Sequence, residues 1–133
     1  MASRMYPKHT ADDHLRKMKH DQNVALELAK KDDCCDWTII CAFYFAIHCV
    51  EAYAHKHGIE RELVGDLGDE ESLHKKRERF VRNHVGEFFT LYLRLYDKSR
   101  QARYDPTYFE KIYQLKGYHQ KLLQATQKLE SIL

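Results

Sequence analysis

The run from Trp37 to Ala54 constrains this chain more than any other feature. It is apolar over about five helical turns, and Trp37, Phe43, Tyr44, Phe45 and Tyr53 cover several sides of one helix rather than a single stripe. Such a helix must be enclosed, either by other helices or by lipid. The run is barely long enough for a bilayer, and His48 and Glu51 near one end would be expensive in hydrocarbon. A buried central helix accounts for it better, and no membrane partner is expected. The chain has 133 residues, which suffices for one core, and only five Gly and two Pro to interrupt helices. An all-α fold follows, arranged as an up-down four-helix bundle.

The other helices group around that centre. Residues 1–9 read as a loose arm and 10–133 as a single bundle domain. Thr10 with Asp13 has the spacing of a capping box and starts a first helix to about Lys31, with a seam of Ala11, Leu15, Met18, Gln22, Ala25 and Ala29. Asp32 or Asp33 caps the central helix, which ends in the cationic His55, Lys56 and His57 before Gly58. The short hairpin between the two makes them antiparallel neighbours. Gly58 to Asp69 is the one substantial loop, and a third helix runs from about Glu70 to Ser99 or Arg100. Asp105 before Pro106 opens a fourth helix, whose inner row is Tyr108, Ile112, Leu115, His119, Leu122, Thr126, Leu129 and Leu133.

Cys34, Cys41, His48 and His55 recur every seven residues along the central helix. Residues that far apart stand about 10 Å from one another, too far for a disulfide or for one shared ion. With no Cys-x-x-Cys, no disulfide, metal or cofactor is expected, and a polar, charged Met1 to His20 without a signal peptide places the chain in a reducing cytoplasm. His48 and Glu51, one turn apart, are expected in a buried polar network with an arginine of the third or fourth helix, since an unpaired buried carboxylate is costly.

The formal charge of +2 implies no polyanion partner by itself, but the charges are segregated. Residues 60–71 are acidic, while Lys75, Lys76, Arg77, Arg79, Arg82, Arg94, Lys98, Arg100 and Arg103 make the following stretch basic. Arg77 and His84 fall on the row of Phe80, Phe88, Leu91 and Leu95. Seven residues come within roughly 20° of two full turns, so these two share a face about 10 Å apart, with His74 one turn earlier. An imidazole that moves the proton of a ribose 2′-hydroxyl and a guanidinium that holds the phosphate would together cleave RNA without metal. The plain alternative is a core histidine bonded to a carbonyl and an arginine that reaches solvent. A second group, Ser99, Arg100, Arg103 and Tyr104, sits where one helix ends and the next begins; it suits phosphate binding and base stacking, or else Arg103 anchors the turn by bonding carbonyls or Glu51.

Taken together, Asp36-Trp37, Phe43-Tyr44, His48, Glu51-Ala52-Tyr53, His74-x-x-Arg77 and Ser99-x-x-Ala102-Arg103-Tyr104 resemble the small stand-alone HEPN-type proteins of bacteria and archaea, from about Asp36 to Pro106. The resemblance implies a four-helix bundle, usually dimeric, from a superfamily of metal-independent ribonucleases, toxin components and non-catalytic RNA- or nucleotide-binding members. Active members carry Arg, four to six residues, then His; here Arg77 and Arg79 precede His84 by six and four intervening residues. Glu78 and Phe80 stand directly after those arginines, where the family commonly has Asn, Asp or His. The expected function is RNA binding, with metal-independent cleavage by Arg77, His84 and His74 and phosphate contacts from Arg79, Ser99, Arg100, Arg103 and Tyr104. The alternatives are a non-catalytic module partnering another protein, such as a nucleotidyltransferase antitoxin, and a nucleotide-binding bundle without hydrolysis.

Overall fold

The structure is a computed structural model that describes residues 9–64, 72–115 and 117–133. The expected loose arm, apart from His9, and residues 65–71 of the expected loop, with Gly65 and Gly68, lie outside the described residues, while its first part forms a 3-10 turn, Glu60–Leu63. The described residues form six α-helices and four short 3-10 turns, with no strand among them.

Helix α1 spans Ala11–Ala29. It begins as the capping box requires: the Thr10 hydroxyl accepts from the Asp13 amide at 3.2 Å, and the Asp13 carboxylate accepts from the Thr10 amide at 2.9 Å. Its buried face is Met18, Asp21, Ala25 and Ala29, so the carboxylate of Asp21 occupies an inner position and Gln22 turns to Glu130 at 2.7 Å. Helix α2 spans Cys35–Lys56. Neither Asp32 nor Asp33 caps it with a side chain, because a 3-10 turn, Asp32–Cys34, leads in and Cys34 occupies the cap. At the other end Gly58, at φ 67°, closes a Schellman motif with bonds from the Ile59 amide to Ala54 at 2.9 Å and from the Gly58 amide to His55 at 3.3 Å.

Residues Asp32–Lys56 form the one described segment long and apolar enough to cross a membrane, yet 67% of that window is buried inside the protein. The helix packs against α1, and α4, α5 and α6 supply most of the rest of its cover. Ile39, Phe45, Ala46 and Val50 are fully enclosed, with Phe80, Tyr92, Leu95, Leu122 and Leu129 among their buried neighbours in the core.

The expected third helix is two helices. Helix α3, Leu73–His84, starts at Ser72, whose hydroxyl accepts from the Lys75 amide, and stops where Val85 leaves helical geometry at φ −135°. A 3-10 turn, Gly86–Phe88, follows, and α4 spans Phe89–Tyr104. Buried Val85 and the low helical propensity of Gly86 end a pattern whose periodicity runs straight through them. The row joining Arg77 to Leu95 is therefore broken between His84 and Phe88.

The expected fourth helix also divides. Asp105 accepts from the Thr107 amide at 2.9 Å and from its hydroxyl, so the helix starts later than expected: α5 spans Tyr108–Tyr113. Gly117 at φ 72° then precedes α6, Tyr118–Gln127. Leu115 falls in the break and is 56% exposed, while Tyr108, Ile112, His119, Leu122, Thr126 and Leu129 remain buried as the row requires.

Candidate functional site

A groove of about 590 Å³ opens between α2, α3 and α4. Helix α2 lends it Phe43, Tyr44 and Ile47; α3 lends His74 and Arg77, one turn apart; and the last two turns of α4 lend Tyr96, Arg100, Arg103 and Tyr104. The break at residues 85–88 makes this possible, because it lets α3 and α4 lie as separate helices that contact one another.

The walls are rings and guanidinium groups. His74 stacks on Tyr96 with centroids 3.3 Å apart and planes inclined by 6°. Arg103 lies over Tyr104 at 5.3 Å and Phe43 at 6.0 Å, and Arg100 over Tyr96 at 5.8 Å, so these cations are held partly by aromatic faces, with no carboxylate paired to either among the described residues. Arg103 also donates its Nε–H to the Ser99 carbonyl at 3.3 Å, while the buried Ser99 hydroxyl has no hydrogen-bond partner among the described residues. Tyr104 is 72% exposed, and the arginines of α4 are exposed with it.

Arg77 is set deeper. Its Nε stands 3.8 Å from a carboxylate oxygen of Glu51, with both side chains mostly buried. That is an ion pair without a hydrogen bond, and Arg77 Nε has no hydrogen-bond partner among the described residues. Burial pushes the Glu51 carboxyl above its ordinary range, and Arg77 and His55 only partly oppose it. His74 is held below the ordinary histidine range, first by burial and then by Arg77 and Arg100, with Glu78 pulling the other way. A histidine held down in this way is neutral at pH 7; its Nε2 stands 3.6 Å from a Glu78 carboxylate oxygen, and its Nδ1 is buried without a hydrogen-bond partner among the described residues.

The structure therefore brings His74, Arg77, Arg100, Arg103 and Tyr104 to one groove, with Ser99 beneath, and leaves two expected residues out of it. His84, at the end of α3, donates its Nε2–H to the Glu62 carboxylate at 3.0 Å and lies against Phe80. Arg77 turns toward α2 and His84 toward the 3-10 turn Glu60–Leu63, so the shared face read from helical spacing does not become a shared cleft. Arg79 is exposed and is not among the residues lining the groove. The groove also uses Tyr44 and Tyr96, which the sequence reading treats only as candidate core or leaves aside; their signal is the i, i+4 and i+8 spacing of Tyr96, Arg100 and Tyr104 on one face of α4.

A second cluster of polar groups lies where α1 meets α2. His14 Nδ1 and His48 Nδ1 are 3.0 Å apart, one of them carrying the proton, and the His14 ring is stacked on His55 at 5.1 Å and 26°. His48 Nε2 in turn faces buried Asp21 at 3.9 Å. The arginine expected near this pair thus belongs to Glu51 alone, and His48 finds His14 and Asp21. Burial, followed by the neighbouring histidines, pushes His14 down to about 4. One donor atom from each of His14, Glu51 and His55 lies within 4.8 Å of the others, which makes them the residues able to hold an ion among those described. Cys34 and Cys41 take no part in this group, and all four cysteines are free. In comparisons with known proteins, no family model matches the chain, and neither a curated protein nor a solved structure does.

Proposed function

We propose that the protein is a HEPN-like RNA-binding protein that works in the cytoplasm as a homodimer, and that the groove between α2, α3 and α4 takes the RNA. In this reading α1, α2, α3 with α4, and α5 with α6 are the four rods of an up-down bundle. One observation carries it: Arg77, Arg100 and Arg103 share a groove with Tyr44, Tyr96 and Tyr104. Cations beside exposed aromatic faces are what a single-stranded nucleic acid needs, the former for phosphate and the latter for unstacked bases. Arg77 supports the reading further, because it lines the groove from a mostly buried position, where its charge is less screened by water and attracts a phosphate more strongly. The open groove suits a chain that passes through, and its residues stand on helices rather than loops.

A second reading, a metal-independent endoribonuclease of toxin type, is favoured by the neutral His74 one turn from Arg77. There His74, and not His84, would take the 2′-hydroxyl proton as O2′ attacks phosphorus and the 5′-oxygen leaves with a proton. Arg77 would stabilise the charge on the phosphoryl oxygens, and the product would end in a 2′,3′-cyclic phosphate.

The test is fluorescence anisotropy with a labelled single-stranded RNA over a range of salt, followed by end analysis of RNA incubated in EDTA. The slope of log Kd against log salt should fall by about 0.7 for each of Arg100→Ala and Arg103→Ala, the value for one phosphate contact on a single strand. Unchanged slopes, or no binding by wild type, would sink the RNA reading. Cyclic-phosphate ends lost in His74→Ala but kept in His84→Ala would establish the second.

A further inference from the structure

We propose that His14, Glu51 and His55 form a binding site for a zinc-type transition-metal dication, on the far side of Glu51 from the groove. The inference departs from the expectation of no metal, and it is independent of the RNA reading. Glu51 and His55 are one turn apart on the same face of α2, and His14 reaches them from α1, the helix packed along it. Two imidazole nitrogens and a carboxylate oxygen, with a further position open, are a donor set that borderline dications favour. The donor atoms lie within 4.8 Å of one another. Ligands of a tetrahedral ion with bonds of about 2.0–2.1 Å stand about 3.4 Å apart, so small side-chain rotations close the site.

Three further observations support an ion here. First, the ligands have an outer partner: His14 Nδ1 meets His48 at 3.0 Å and His48 Nε2 faces Asp21 at 3.9 Å. With Nδ1 so used, Nε2 is the nitrogen that His14 has left to offer, and an imidazole and carboxylate behind it fix its tautomer. Second, the same cavity, of about 540 Å³, is lined by Glu60, whose Oε2 is buried without a hydrogen-bond partner among the described residues. That oxygen is a candidate fourth donor, and His9 also lines the cavity. Third, the cavity is open enough for an ion and its water to enter, and two of its three ligands stand on the most deeply packed helix. Arg61 in the lining and Arg77 beside Glu51 oppose a cation, and the carboxylates of Glu51 and Glu60 balance them.

The test is isothermal titration of ZnCl₂ into tag-free, chelator-stripped protein, with Co²⁺ as a spectroscopic substitute. Wild type should bind one ion per chain, and Co²⁺ should give visible ligand-field bands without a thiolate charge-transfer band. His14→Gln and His55→Gln should each remove the binding while keeping the helical circular dichroism of wild type. His48→Gln should weaken it by about 10- to 100-fold, as loss of an outer partner does, and His20→Gln, an exposed histidine of α1 outside the cluster, should leave it unchanged. The proposal is overturned if wild type takes up no Zn²⁺, if both ligand variants bind as wild type does, or if a thiolate band places the ion on the cysteines. Should a ligand variant fail to fold, the imidazole NMR signals of wild type decide: His14 and His55 must shift with Zn²⁺, and His20 must not.

Discussion

Removing Glu51 alone should destabilise the protein far more than removing Glu51 and Arg77 together. The two charges are 3.8 Å apart, with side chains 14% and 19% exposed. At an effective dielectric constant of about 20 the gross attraction at that separation is roughly 4 kcal/mol. Desolvation opposes it, and burial raises the Glu51 carboxyl in spite of Arg77, so the attraction does not fully offset the cost of taking that carboxylate out of water. Glu51→Met leaves the guanidinium without its counter-charge, for which about 3 kcal/mol is expected, the lower end of the range for breaking a buried pair because both groups keep some contact with water. Arg77→Leu leaves a buried carboxylate and should cost a similar amount. In the double variant no charge is stranded, and its stability should return to within about 1 kcal/mol of wild type, a coupling of several kcal/mol. Urea unfolding at neutral pH followed by circular dichroism measures this directly: with a slope near 2 kcal/mol/M, each single variant shifts the midpoint by about 1.5 M and the double by less than about 0.5 M. If the costs of the single variants simply add in the double, the two side chains are not coupled and the ion pair is not what positions Arg77.

Stability should fall on acidification from pH 6.5 to about 4, because the unfolded His14 takes a proton near 6.5 whereas the folded one resists until about 4. Partial exposure to water reduces the effect to about 1–2 kcal/mol, and in a metal-free buffer His14→Gln should flatten the stability-pH curve in that window. Thr10→Ala removes the hydroxyl half of the capping box and should cost about 1 kcal/mol in the same unfolding assay, with amide exchange accelerated in the first turn of α1. Tyr104→Ala should weaken RNA binding by about 1–3 kcal/mol without changing the salt slope, since it removes a stacking face and no charge. A parallel loss of slope would mean that the ring serves only to hold Arg103.

Local features were legible where they depend on near neighbours in the chain. The capping box at Thr10, the close of α2 at Gly58 and the buried row from Tyr108 to Leu129, Leu115 excepted, follow from spacing and residue type. The break at Val85 and Gly86 was not legible, because Phe88, Leu91 and Leu95 resume a helical period in step with what precedes it. For the same reason the Arg77 and His84 pair looked like one constellation. Two turns along a helix keep a common face only if the neighbours on that face are common too, and here they are α2 for one residue and a 3-10 turn for the other.

What the sequence determined by itself is the helical class and the central place of α2, since a helix apolar on several sides must be covered over most of its surface, as α2 is, with Trp37 and Tyr44 left exposed. It also determined the composition of the basic stretch from which the groove draws its arginines. The tertiary structure alone decided which polar residues meet. His14 lies 34 residues from His48, and Tyr96 lies 22 from His74, yet each pair is in contact. No periodicity connects positions on different helices; their meeting depends on how far one helix slides and turns against the next, which is set by packing across the whole core.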